Sequence, residues 1–306
     1  MSVQILDDAR ALEPEWWDLW ARDPQASVFQ SPAWLISWRE AFRTGKSRVL
    51  AVRHDARLVA LLPLFRHEGR LLPWGAGTTD CLDGLVDPQL DPGELALAIT
   101  ELAEPVDLFQ LCEGSPLRRV PVPSGWGERC GDAEPCLDMR LPAVLSRNMA
   151  QNLRYYRRRL DRAGIGRPER AGPEAFEDLM DLHGRRWRSR GQPGVLHDPR
   201  VLAWHRSAIP ALDAAGLLRL YALCRDGRAV AVFYGLHAKG RTSYYLGGFD
   251  PDLEDLGLGT VLIGHAVEEA QREGAMAFDF LRGQEAYKYR WGASERPMYA
   301  RSLIPG

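Results

Sequence analysis

Apolar and polar positions change period several times along this chain, and each change predicts an element. Trp16, Trp17 and Trp20, then Trp34, Leu35, Trp38 and Phe42, recur near helical spacing, so the first forty residues read as helical. Ser31-Pro32 opens the second helix, with serine as N-cap and proline in the first turn. A β region follows, with Arg48 to Arg53 and Leu58 to Phe65 flanking the turn His54-Asp55-Ala56-Arg57. Arg70 to Trp74 predicts a third strand, closed by Gly75-Ala76-Gly77. Gly93 to Ala103 reads as a short helix and Val106 to Leu111 as a strand. From Cys112 to Pro142 proline and glycine are frequent, which predicts a linker.

The second half opens on a helix, Ala143 to Ala163, whose apolar stripe is Leu145, Met149, Leu153, Tyr156 and Leu160, with Gly164 as its stop. Helices from about 173 to 187 and from Val201 to Ala215 follow. Leu218 to Arg225 and Ala229 to His237 predict a hairpin, because Asp226-Gly227 is a favoured two-residue turn. Arg241 to Leu246 is a strand, Thr260 to Arg272 a helix ended by Gly274, and Ala277 to Leu281 a strand. AVRHDARLVALLPL, from Ala51, aligns with ALCRDGRAVAVFYG, from Ala222. A third strand, a helix and a short strand follow each in the same order. The expectation is a duplication, with domains at 1–135 and 136–306.

Composition narrows the classes. The chain has 306 residues, 45% hydrophobic and 26% charged, with a formal charge of −2, which is ordinary for globular domains and gives no global pull on polyanions. The beginning lacks a basic, then apolar, leader, and no run approaches the roughly 18–20 apolar residues that span a bilayer. Five scattered cysteines suit a reducing compartment. The expected location is cytoplasmic, with no membrane span and no DNA partner. Only three of the 39 basic residues are lysines (Lys46, Lys239, Lys288), which singles out each lysine.

Candidate chemistry clusters in the second half. Leu256-Gly257-Leu258-Gly259-Thr260 stands before a helix, and glycines at a helix start let a phosphate approach free backbone N–H groups. Gly257, Leu258, Gly259 and Thr260 are therefore the candidate cofactor cradle. The first half has Leu90-Asp91-Pro92-Gly93 at the aligned point and lacks this feature, so its domain reads as degenerate. FDFLRGQEAYKYRWG, Phe278 to Gly292, packs Asp279, Arg282, Glu285, Tyr287, Lys288 and Arg290 after one strand, where open α/β sheets hold ligands. LHGRRWRSRG, Leu182 to Gly191, brings His183, a candidate base, beside Arg186 and Trp187. Residues 141–190 carry twelve arginines against six acids, enough for one basic face or for paired, solvated helices. No metal motif, nucleophile elbow or Walker A loop occurs, so no metal is expected.

YYLGGFDP, the Gly257–Thr260 helix start and FDFLRGQEAYKYRW together resemble the GNAT acyltransferase superfamily, above all its cellulose-biosynthesis-associated acetyltransferase branch. LHGRRWRSRG and SVFQSPAWLISWREAF resemble the same branch, and the two-copy layout is similar to the Fem aminoacyltransferases. The resemblance implies an α/β architecture of tandem GNAT-like folds, each a mixed central sheet flanked by helices, with the catalytic domain second. It implies acyl transfer from acyl-CoA, acetyl-CoA in the expected form, to an amine or hydroxyl of a small or saccharide-type acceptor. Asp279 would be the base and Tyr287 the acid, while Lys288 and Arg282, with Arg186 and Trp187, would hold substrate. Glu254 stands where the superfamily usually has Gln or Arg, and an acid beside a pyrophosphate admits instead an acyl-carrier protein or aminoacyl-tRNA donor. No helical arm for gripping tRNA is present in the sequence. The alternatives are Fem-like aminoacyl transfer and an idle scaffold in polysaccharide biosynthesis.

Overall fold

The computed structural model describes all residues, 1–306. In chain order the elements are β1 (Ser2–Leu6), α1 (Glu13–Arg22), α2 (Pro32–Phe42), β2 (Ser47–His54), β3 (Arg57–His67), β4 (Arg70–Pro73), β5 (Leu85–Val86), α3 (Pro92–Thr100), β6 (Val106–Cys112), α4 (Pro116–Arg119), β7 (Trp126–Arg140), α5 (Arg147–Arg162), β8 (Glu169–Arg170), α6 (Ala175–Arg188), α7 (Pro199–Ala214), β9 (Leu218–Arg225), β10 (Arg228–Ala238), β11 (Arg241–Phe249), α8 (Leu258–Arg272), β12 (Ala277–Arg282), α9 (Ala286–Arg290) and β13 (Ser294–Pro305). Two compact units result, Met1–Pro135 with Pro297–Gly306, and Cys136–Arg296.

The units share one topology. The first runs β1-β2-β3-β4-β6-β13, the second β8-β9-β10-β11-β12-β7. In both, the first three pairings are antiparallel, the fourth is parallel and the last is antiparallel. The hairpins aligned in sequence occupy the same places, β2–β3 and β9–β10. Helices flank the strands in both, so both units are mixed α/β folds. The last ten residues, read in sequence as part of the second domain, belong to the first unit, where β13 pairs with β6.

Three stretches differ from the sequence expectations. Ser2–Leu6 is a strand on β2 rather than helix, since five residues alternating in burial are too few to show a period. Trp126–Arg140 is β7 rather than linker: Gly127, Gly131 and Pro135 read as breakers, yet Cys136 to Arg140 are held by pairing with β12. Strand β13 was not predicted, because SERPMYARSLIP carries two prolines and two arginines.

Local chemistry sets the second unit's elements. Both turn residues between β9 and β10 have positive φ, Asp226 at 51° and Gly227 at 76°, the geometry that matches strand twist in a tight hairpin. Helix α5 starts later than its stripe suggests, at Arg147, because the Ser146 side chain accepts a hydrogen bond from Met149 N at 3.2 Å and so caps it. Its Met149, Leu153 and Leu160 are buried in one core with Leu258, Val261, Leu262 and Ala266 of α8 and with Phe233, Phe278 and Phe280 of the sheet. Burying each such leucine contributes about 2 kcal/mol. This core fixes the start of α8 against α5.

Candidate active site

The parallel pairing of β11 with β12 stops early. Arg241, Thr242 and Ser243 pair with Ala277, Phe278 and Asp279, and no strand covers that edge of β11 beyond Ser243. A bulge between β10 and β11 sits at the same level, where Tyr234 opposes Leu246 and Gly235 opposes Tyr244, leaving Tyr245 extra. Bulges re-aim side chains. Tyr244 stacks on Phe233 at 4.8 Å between ring centres, while Tyr245 packs with Trp204, His205 and Tyr234.

A 3₁₀ turn, Pro251–Leu256, leads from β11 into α8. Gly257 is the N-cap at φ 71°, and a side chain there would overlap the Tyr156 ring. Gly259 differs: a Cβ added to it would meet nothing nearer than Phe249 ring atoms at 3.9 Å. The lost side chain at Gly257 is required by the protein's own packing. At Gly259 it leaves space open.

That space belongs to a cavity of about 420 Å³. The helix start contributes Gly257, Leu258, Gly259 and Thr260; the splayed edge contributes Tyr244, Gly247, Gly248 and Phe249; α5 contributes Met149, Asn152 and Tyr156. Arg186, Glu254, Tyr287, Arg290 and Trp291 complete its ionisable and aromatic wall. The Arg186 guanidinium lies 4.2 Å from the Phe249 ring centre, and its buried Nε has no hydrogen-bond partner. Burial lowers its pKa. Burial also raises the pKa of Tyr287 strongly, helped by nearby Tyr244 and Glu285, so its phenol stays protonated at neutral pH.

The acids before α8 are largely neutralised by α6 and the turn after it. Arg185 reaches Asp250 at 2.8 Å and Asp252 at 3.2 Å, and Arg190 reaches Glu254 at 3.3 Å. Glu254 is the one carboxylate lining the cavity, and no histidine or cysteine lines it.

The structure therefore brings together Gly257, Leu258, Gly259, Thr260, Tyr287 and Arg186, with Glu254 and Arg290, and leaves Asp279, Arg282, Lys288, His183 and Trp187 outside the lining. Asp279 is buried at 1% exposure. It sits directly opposite Asp138 of β7, and Arg241 and Arg296 bridge the two carboxylates, at 3.3 and 2.7 Å from Asp279 and at 2.6 and 3.2 Å from Asp138. Its other oxygen accepts from Leu281 N at 2.8 Å. Lys288 is as buried, and its ammonium donates to the carbonyls of Leu281, Arg282 and Gly283 and pairs with Glu285 at 2.9 Å. Leu281 at φ 62° and Gly283 at φ 99° make this a left-handed turn, which a compact ammonium ties down and a planar guanidinium fits poorly. Arg282 lies in the same turn, outside the cavity. His183 is 3% exposed, and its Nδ1 has no partner. Burial, then the charge of Arg186, lowers its pKa to about 4, so it is neutral at pH 7. Trp187 packs beside it at 5.8 Å, and a side chain on Gly194 would overlap both rings.

Asn152 and Tyr244 line the cavity without having been chosen from sequence. The stripe of α5 pointed at the helix but ranked its apolar residues; Tyr244 stood in YYLGGF with no sign of which tyrosine the bulge turns inward.

Residues 147–289 match a family model described as an acetyltransferase (GNAT) domain. No curated protein matches the chain in sequence. Among solved structures, one described as FemX superposes with a TM-score of 0.67 at 12% identity, covering 98% of this chain and 97% of that one. L-PGS from Bacillus licheniformis gives 0.63 at 14%, covering 96% and 91%. A GNAT-family acetyltransferase from Colwellia psychrerythraea gives 0.52 at 9%, covering 99% and 100%. At these identities the likeness is one of fold.

Proposed function

From the GNAT acetyltransferase domain matched over residues 147–289, we propose that this chain is an acyltransferase whose second unit moves an acyl group from a pantetheine thioester, acyl-CoA in the form to be assayed, to an amine or hydroxyl of a small or saccharide-type acceptor. One observation carries the proposal: a single cavity joins the open helix start at Gly257–Thr260, the uncovered edge of β11 and the protonated phenol of Tyr287. The donor phosphate sits on the N–H groups of the helix start, where the macrodipole favours an anion. The pantetheine arm lies along β11, whose free N–H groups hold its amides and polarise the thioester carbonyl.

The acceptor nitrogen or oxygen attacks the carbonyl carbon and releases its proton to solvent, the C–S bond breaks, and Tyr287 gives its proton to the leaving thiolate and regains one from solvent. Arg186 and Arg290 stabilise the anionic part of the donor. On this view Asp279, Lys288 and His183 shape the site from behind and take no part in proton transfer. No helix is long and apolar enough to cross a membrane; a cytoplasmic setting is part of the same proposal.

The test is thiol release from acetyl-CoA and longer acyl-CoAs across a panel of amines, amino sugars and polyols, with Gly259→Asp as control. Acceptor-dependent release that the control loses supports the proposal. No release above the control with any donor and acceptor overturns it.

A further inference from the structure

We infer that the exposed face of α5 is a docking surface for an acidic carrier protein that presents the acyl group on a phosphopantetheine arm. The inference rests on the proposed use of a pantetheine thioester. Helix α5 holds six arginines and one acid, Asp161. Arg157 pairs with Glu268 at 2.7 Å, and Arg159 donates to the Asp255 carbonyl at 2.7 Å. Arg147, Arg154, Arg158 and Arg162 are exposed and make no ion pair within the chain. With Gln151 they follow one another at steps of four, three, four and four, which is one face of a helix. The strip is roughly 22 Å long at 1.5 Å per residue.

Arg162 in the last turn suits the macrodipole, but the rest of the strip gains little from the helix itself. Arg154 faces Arg158 and Arg158 faces Arg162 at the i,i+4 distance, where like charges destabilise. Arg147 stands in the first turn, where no acid accompanies it and the macrodipole opposes a cation. An acidic partner would reverse each of these repulsions.

The strip adjoins the donor cavity. Asn152 is exposed and also lines the cavity, so the outer face of α5 begins at the cavity rim, and exposed Tyr155 lies between. The cavity's own charges fit the arm of a carrier better than whole CoA. Two guanidiniums, Arg186 and Arg290, line it with one carboxylate, Glu254, which Arg190 already pairs, so the surplus is two positive charges. A carrier-bound arm brings one phosphodiester, whereas CoA brings a pyrophosphate and a further phosphate. In the reaction the acceptor's heteroatom bonds to the acyl carbon, the arm's C–S bond breaks, and the carrier leaves with a free thiol that takes one proton.

Binding of a small acidic acyl-carrier protein bearing an acetyl-phosphopantetheine arm tests this, compared with acetyl-CoA and with a 20-nucleotide RNA hairpin. The variants are Arg154→Glu with Arg158→Glu, checked for unchanged thermal midpoint, and the milder Arg154→Gln with Arg158→Gln. The inference predicts that the loaded carrier binds the native protein, and that the glutamate pair weakens it about tenfold or more. Acetyl-CoA binding is then unaltered, and added salt weakens the carrier alone. Carrier binding that is absent, or equal in native and variant protein, overturns it. Loss of RNA binding in the variants, with no carrier binding, overturns it in favour of a nucleic-acid partner. Failure of the carrier and acetyl-CoA alike would point instead at the pantetheine-thioester reading.

Discussion

Replacing Gly259 by aspartate should strengthen the fold and abolish donor binding at once. Gly259 is the second residue of α8, and a Cβ there meets no protein atom closer than 3.9 Å. Aspartate also favours the first turn of a helix by about 0.3–1 kcal/mol, and glycine is a weak helix former. The thermal midpoint should therefore hold or rise by about 2 °C for a unit of this size. The carboxylate, however, enters the space given to the donor phosphate. Two like charges about 5 Å apart at an effective dielectric of 20 repel by about 3 kcal/mol, or roughly 150-fold in affinity. Calorimetric titration with acetyl-CoA and a melting curve on the same sample read both effects. Gly257→Ala is the contrast, because it strains a φ of 71° and overlaps Tyr156, so it should lose stability first. Unchanged donor affinity in folded Gly259→Asp would refute the phosphate site.

Other substitutions separate chemistry from scaffold. Tyr287→Phe should lower turnover by about 10²–10⁴-fold with donor affinity kept, as loss of a general acid does; an unchanged single-turnover rate would discard that role. Asp279→Asn leaves Arg241 and Arg296 facing Asp138 alone and should cost about 3 kcal/mol of stability, with the surviving folded enzyme turning over normally; a rate loss without a stability loss would restore it as a base. His183 has a folded pKa of about 4, below its unfolded value, so the unfolded chain takes up its proton first. Stability is unaffected above about pH 6.5 and falls toward pH 4 by about 3 kcal/mol. His183→Gln should therefore flatten the acid limb of a pH–melting profile, and identical profiles would contradict the buried neutral imidazole.

The sequence was most informative where local chemistry and burial agree. Asp226-Gly227 declared its hairpin, the α5 stripe declared its buried face, and the repeat of hairpin, strand, helix and strand declared two similar units. Pairing partners far apart in sequence were not legible: nothing in SERPMYARSLIP shows that β13 closes the first unit's sheet while the end of β7 closes the second's. The same limit governed the site. Gly257 to Thr260 could be found because a helix start is a local feature. Asp279 and Lys288 were conspicuous as charged residues after one strand, yet their environment is made by Asp138, Arg241, Arg296 and a left-handed turn, none of which their own segment reveals. The scarcity of lysine drew attention to Lys288, whose ammonium ties down the turn through the carbonyls of Leu281, Arg282 and Gly283.

Hydrogen–deuterium exchange of the whole chain with and without saturating acetyl-CoA tests the central claim most directly. A donor held in the second unit's cavity should protect Tyr244–Phe249, the first turns of α8 and residues 286–291, and leave the first unit, including Leu90–Leu95, unchanged. Protection confined to the first unit, or none at concentrations that support thiol release, would contradict the account.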